Sequence, residues 1–259
     1  MSEKKPALWL RIYTAVAFFY IYIPILILII FSFNTQKLNI HWEGFTLAWY
    51  AKLFHDSQVL LATRNTLLIA IISTLIATII GTMAALALQR YRFPGYTISE
   101  TVLYIPVVIP EVVMGISLLV FFAMINFTLG LITITLSHIA FNIPFVTLVV
   151  RARLHGFDKS IEEAAMDLGA NELVTFWRVT LPTIMPGILA GAMLAFTLSL
   201  DDYVITYFTA GPGSTTLPLR IFSMVRFAVT PEVNALSTIW VMTVFILLFI
   251  AEYFRRQRT

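Results

Sequence analysis

The sequence predicts an all-α membrane protein with six transmembrane helices, and three observations carry that reading. Of 259 residues, 59% are hydrophobic and only 12% charged, against roughly 45–50% and about 25% in a soluble domain. Too few charges remain to coat a soluble surface, so lipid is the solvent for most of the chain. Apolar runs recur at 12–33, 65–89, 98–125, 131–150, 187–208 and 234–253, each able to supply the ~20 residues of a spanning helix. None of them alternates apolar with polar residues as barrel strands do. Backbone polar groups in a bilayer must be satisfied internally, which leaves helices.

The first run follows a basic stretch (Lys4, Lys5, Arg11). A signal peptide would have an apolar region of about 7–15 residues and a small-x-small cleavage site. This run is longer, contains Pro24 and ends in Phe31-Ser32-Phe33-Asn34, so it is read as a span. The interval 34–62 is mixed, with Trp42, Trp49 and Tyr50. The third run holds Pro106, Pro110 and Gly115. Proline removes a backbone donor and kinks helices. These residues either serve packing or make an irregular helix that offers polar backbone near Glu111. After the fifth run, Gly211-Pro212-Gly213-Ser214 lacks the Gly-Lys-Ser/Thr ending of a phosphate loop and reads as a turn. Residues 217–229, with Arg220 and Arg226, are expected to lie along the outer surface or at an outer mouth.

With the N-terminus inside, Lys4, Lys5, Arg11, Arg90, Arg92, Arg151, Arg153, Lys159, Arg178, Arg255, Arg256 and Arg258 fall in inside segments. Lys37, Lys52, Arg64, Arg220 and Arg226 fall outside. Twelve against five places both termini and the 151–186 interval in the cytoplasm. No linker or repeat divides the chain, so residues 1–259 are read as one domain.

Several function classes are excluded. With no cysteine there is no disulfide, thiol nucleophile or cysteine metal site. The four histidines form no H-x-x-x-H pair, and a net charge of +3 does not point to nucleic acid. No metal site is expected.

The charged interval between the fourth and fifth runs carries most of the remaining information. Ser160-Ile161-Glu162-Glu163 fits a capping box, predicting a helix over 161–168. Gly169 fits a helix C-terminal position with positive φ. Ala170 or Asn171 starts a second helical stretch, and Leu181-Pro182 ends it, since proline disfavours helix before it. Patterning alone leaves two readings open: an amphipathic hairpin on the membrane, or a docking site.

The spacing Glu163-Ala164-Ala165, three residues, Gly169, nine residues, Val179, one residue, Leu181-Pro182 resembles the EAA loop of ABC importer permeases. Val179 stands where that family usually has isoleucine. Residues 12–34, 42–50 (Trp42-Glu43-Gly44-Phe45 to Trp49-Tyr50), 196–213 (Phe196 to Asp201-Asp202 and Gly211-Pro212-Gly213) and 231–235 (Pro231-Glu232-Val233-Asn234-Ala235) are similar to one subgroup, the second permease subunits of spermidine/putrescine importers. The resemblance covers nearly the whole chain. It implies the type I ABC importer permease (MetI-like) fold with a cytoplasmic coupling helix. It also implies a paralogous permease as heterodimer partner, two copies of an ABC ATPase and a periplasmic or extracellular polyamine-binding protein. The setting would be the bacterial cytoplasmic (inner) membrane. Glu163, Ala164, Ala165, Asp167, Gly169, Glu172, Leu181 and Pro182 would form the ATPase coupling element. ATP and Mg would sit on the partner ATPase; with no Walker motif, this chain is expected to bind no cofactor and to be no enzyme.

Three acids fall more than a turn inside the ends of the predicted helices: Glu111, Asp201 and Asp202. A carboxylate at mid-membrane costs on the order of 2.5–3.5 kcal/mol, so it faces a cavity or a partner. Apart from His138, no Lys, Arg or His lies within these runs, which makes a cationic cargo the natural counter-charge. Glu111 and Asp201 both come out roughly 20 Å above the cytoplasmic end at 1.5 Å per residue. On a continuous helix, adjacent residues point about 100° apart. Asp202 would then share a face with Ser199 and Thr206, and this stripe is the better pathway candidate. Asp201 either lines the passage too or bonds within or between subunits. Trp49 is either a cation–π contact for cargo or an interfacial anchor.

The function expected is therefore a polyamine importer permease. A permease for another solute, such as ferric ion or an amino acid, is the alternative. An intramembrane enzyme would need clustered catalytic groups that three acids do not supply, and an ion channel would leave the hairpin unexplained.

Overall fold

The computed structural model describes residues 8–37 and 39–256, with side chains described from Trp9 to Ile246 apart from position 38. Lys4, Lys5 and Arg258 lie outside the described residues. Twelve α-helices and one π-helical turn make up the described regular structure. The β pairing among the described residues is one isolated bridge, Asn34 with Phe45. The chain divides into two compact units, one running to Leu60 and resuming at Arg220, the other Leu61–Leu219.

In the first unit, α1 (Leu8–Phe31) and α2 (Ala48–His55) lie against α12 (Pro231–Arg256). Between α1 and α2 the chain wraps around Asn34, which is fully buried. Its Nδ2 donates to the His41 carbonyl at 2.8 Å and its Oδ1 accepts from the Glu43 N–H at 3.0 Å. Phe33 stacks between Phe45 and Tyr50, at centroid distances of 5.1 and 5.2 Å. Lys52 on α2 reaches Glu232 in the first turn of α12 at 2.7 Å.

The second unit holds α3 (Ser57–Arg90) from residue 61, α4 (Tyr96–Val108), α5 (Glu111–Met124), α6 (Leu131–His155), α7 (Ser160–Asp167), α8 (Glu172–Thr175), α9 (Leu181–Asp201), α10 (Val204–Thr209) and the start of α11 (Leu217–Phe227). Helix α6 is its centre. Val146, fully buried, fills the space above Gly81 of α3 and Gly191 of α9. A Cβ at position 81 would sit 2.8 Å from Val146 Cβ and 2.9 Å from the Ile143 carbonyl. Lipid tails are as apolar as leucine, so helices in a bilayer associate through close packing, and small residues allow that approach. Thr147 exploits the proximity by donating to the Gly81 carbonyl at 3.1 Å.

The predicted runs all fall on helices, with differences that matter. Trp9–Phe31, Ser57–Arg90, Leu131–His155 and Glu172–Asp201 are each long and apolar enough to cross a membrane. The third run is a bent pair, α4 and α5, turned by 112°. Pro110 supplies no N–H, and Ile109 before it is extended (φ −73°, ψ 136°), as pre-proline residues prefer. The sixth run lies in α12, whose 26 residues span ~39 Å.

The fifth run, predicted as one helix over 187–208, is instead two. Helix α9 ends at Asp201, Asp202 is extended (φ −61°, ψ 118°), and α10 begins at Val204. Steps of 100° therefore do not carry across this corner. Helix α9 also starts earlier than predicted, because Leu181-Pro182 does not end the preceding helix. Pro182 is the second residue of α9 and follows directly on a helical stretch that continues into it. Phe176–Thr180 winds as a π-helix, with the Leu181 N–H donating to the Phe176 carbonyl. The turn predicted at 211–214 is present: the Ser214 N–H donates to the Gly211 carbonyl at 3.1 Å.

Candidate functional site

Glu111 is the first residue of α5, directly after the break at Pro110. A carboxylate there faces the positive end of the helix dipole. One turn on, Gly115 lets α10 approach: a Cβ at 115 would lie 2.6 Å from Phe208 Cδ2. Since α10 follows directly on Asp201-Asp202, the two helix breaks come to one region of the unit.

The three acids are not equivalent. Glu111 and Asp201 are exposed on the chain, whereas the Asp202 side chain is only 5% exposed. Asp202 Oδ1 accepts from the Thr206 N–H and from Thr206 Oγ1, both at 2.8 Å, and so caps α10. His138 of α6, 3% exposed, places Nε2 at 3.3 Å from Asp202 Oδ1 and at 2.9 Å from Thr206 Oγ1. Its Nδ1 lies 2.6 Å from Ser199 Oγ, which in turn is 3.1 Å from Ser73 Oγ of α3. Ser199, Asp202 and Thr206 are thus brought together, but around His138 inside the helix packing. The helical-face reading favoured Asp202 over Asp201; the exposures run the other way. His138 acquires its place only through tertiary structure, and its one sequence signal was to be the sole ionisable base within the apolar runs.

Trp49 belongs to the other unit. Its indole N–H donates to the Asn34 carbonyl at 2.9 Å, and the Lys52 ammonium lies 5.8 Å from its ring centroid. That ring already meets a cation of its own chain.

The hairpin is built from α7, a turn at Gly169, and α8. The predicted capping box is not formed. Ser160 is already the first helical residue, and its N–H is capped by Asp158 Oδ1 at 3.0 Å. That hydrogen bond holds the Asp158 carboxyl below the ordinary aspartate range. Gly169 has φ +90°, and its N–H donates to the Met166 carbonyl at 2.9 Å. Asn171 caps α8, accepting from the Val174 N–H at 2.9 Å. Glu163, Ala164, Asp167 and Glu172 are exposed and Ala165 is half-buried. Around them the hairpin presents Leu168, Leu173 and Trp177 at 90%, 71% and 62% exposure. These three large apolar side chains extend the surface that the Glu-Ala-Ala spacing marks, and patterning within a short polar segment did not single them out.

A second residue missed by patterning is Glu162. Its Oε1 accepts from Arg90 Nη2, the last residue of α3, and from Thr180 Oγ1 just before α9. The hairpin is thereby tied to two long helices. Its carboxylate is 14% exposed and Arg90 29%. Glu162→Ala leaves a half-buried guanidinium without its acceptor, a loss of about 1–3 kcal/mol. The expected outcome is a lower melting temperature of the assembled complex, read by thermal unfolding in detergent.

Residues 77–257 match the family described as binding-protein-dependent transport system inner membrane component. The chain is 42% identical over 240 residues to the spermidine/putrescine transport system permease protein PotC of Escherichia coli strain K12, covering 93% of this chain and 91% of that one. It is 44% identical over 252 residues to the putrescine transport system permease protein PotI of the same strain, covering 95% and 90%. Its fold matches a chain of a bacterial ABC transporter involved in the import of the acidic polysaccharide alginate. There the TM-score is 0.76 and the identity 18%, with 97% of this chain and 96% of that chain covered.

Proposed function

This chain belongs to the binding-protein-dependent transport system inner membrane components, and from that premise we propose that it is a permease subunit of an ATP-driven polyamine importer. The observation that carries the cargo is identity above 40% over nine-tenths of both chains to two polyamine permeases. Two exposed carboxylates at adjoining helix breaks, Glu111 and Asp201, support it. They can replace water around the ammonium groups of a linear polyamine through charge-assisted hydrogen bonds. A related permease supplies the other half of the passage, and a binding protein delivers cargo at the outer face. The hairpin and both termini face the cytoplasm, in keeping with the twelve-to-five basic asymmetry. There the hairpin, through Glu163, Ala164, Ala165, Asp167, Gly169 and Glu172, seats on an ATPase subunit, one of two copies, which holds ATP and Mg. Leu181 and Pro182 lead from it into α9.

The test is uptake of labelled spermidine and putrescine by vesicles holding the complete complex. ATP-dependent accumulation that requires the binding protein is expected. Accumulation of ferric ion or an amino acid with neither polyamine taken up would overturn the cargo.

A further inference from the structure

Asp201 and Asp202 are neighbours of identical chemistry in opposite surroundings. Asp202 is enclosed, with Oδ1 engaged by Thr206 and His138 and Oδ2 facing the Ile205 N–H at 3.4 Å; Asp201 is exposed. We infer that His138 is a positioning residue for cargo. By pairing with Asp202 inside the helix packing, it fixes the corner between α9 and α10 from which Asp201 presents its carboxylate, in the region where Glu111 opens α5. This rests on the polyamine reading for the identity of the cargo, but not for the pairing itself.

A count of hydrogens fixes the direction of the central contact. Thr206 has a single hydroxyl hydrogen, and Asp202, an acceptor, takes it at 2.8 Å. The 2.9 Å contact between Thr206 Oγ1 and His138 Nε2 therefore needs its hydrogen from the imidazole. The same Nε2–H faces Asp202 Oδ1 at 3.3 Å. His138 thus donates into the Thr206–Asp202 pair, and it is anchored on its other side by Ser199 of α9, itself bonded to Ser73 of α3. One imidazole joins α6 to the last turn of α9 and the first turn of α10, and through Ser199 reaches α3.

The arrangement also explains why the helix breaks where it does. Neither proline nor glycine stands at 200–204. What holds Asp202 extended (φ −61°, ψ 118°) is its carboxylate, engaged with the N-terminus of α10 on one side and His138 on the other. A carboxylate inside a bilayer needs a partner. Asp202 has one within the chain and so is not left over for cargo. Glu111 and Asp201 are.

The experiment uses the complete complex in vesicles, with binding protein loaded with spermidine. It compares His138→Gln, Asp202→Asn, Asp201→Asn, and the first combined with each of the others. His138→Gln is expected to lower the maximal uptake rate about tenfold. The half-saturating concentration of loaded binding protein should stay within about twofold, and its stimulation of ATP hydrolysis should be retained. A change that only weakened the fold would lower assembly and ATP hydrolysis together. Adding Asp202→Asn to His138→Gln is expected to cost nothing further, because interacting residues act as a unit. Adding Asp201→Asn to His138→Gln is expected to leave uptake no lower than Asp201→Asn alone, because His138 acts through the carboxylate that this replacement removes.

Multiplying losses for His138 and Asp202 overturn the inference. Should His138→Gln alone fail to assemble, the double replacement is expected to restore assembly, since no unpaired buried carboxylate remains; continued failure overturns it equally. If the wild-type complex takes up neither spermidine nor putrescine, the cargo reading fails. In that case, non-additive shifts of the two replacements in the melting of the assembled complex still decide the pairing.

Discussion

Asp201→Asn is expected to lower ATP-driven spermidine uptake about 10- to 100-fold while the complex still assembles and still hydrolyses ATP. A hydrogen bond to a charged group is worth about 1.5–3 kcal/mol, and 1.4 kcal/mol is a factor of ten. The replacement is nearly isosteric and the side chain is exposed, so the fold has little to lose. Glu111→Gln should behave alike, because it opens α5 on the far side of the α4–α5 break. Each carboxylate would face one ammonium group, so the double replacement should leave no measurable uptake. The measurement is initial-rate uptake by vesicles at saturating binding protein, with ATP hydrolysis followed in parallel. Undiminished uptake in both single variants would remove the acids from the passage.

Gly169→Pro is expected to abolish coupled transport, and Gly169→Asn to preserve most of it. The position has φ +90°, which costs an ordinary L-residue ~1–2 kcal/mol. Proline is fixed near −65° and also removes an N–H, here the one that reaches the Met166 carbonyl at 2.9 Å. The hairpin then cannot turn between α7 and α8, and Leu168 and Leu173 lose their common presentation. Asparagine tolerates the left-handed region and keeps the N–H. Co-purification of the ATPase, and ATP hydrolysis stimulated by loaded binding protein, provide the readout. Normal coupling in the proline variant would mean that the hairpin is not the seat of the ATPase.

Much of this fold was legible because its signals are local. Apolar runs of spanning length are a property of each segment alone. So are the irregular helix that Pro110 offered as an alternative to plain packing and the positive φ suited to Gly169. What was not legible depended on partners distant in sequence. The corner at Asp202 carries no breaker residue and follows from His138, which arrives on another helix. Glu162 and Glu163 look alike in the sequence, yet Arg90 and Thr180 take up the first and leave the second exposed. The capping box failed on a local competitor, since Asp158 reached the Ser160 N–H first. Likewise the proline at 182 was read as an ending because the π-helical turn that accommodates it has no pattern of its own.

That turn sets an angle. A π-helical turn holds one residue more than the α-helix around it, and each helical residue advances the chain by about 100°. The extra residue within Phe176–Thr180 therefore dials the azimuth of everything before it relative to α9. Winding these same five residues as ordinary α-helix would leave the composition of both segments untouched. It would nevertheless swing the Leu173 side chain about a quarter turn around the axis of the helix that enters the membrane. The face offered to a partner is in this sense a matter of phase, set by how one short segment winds.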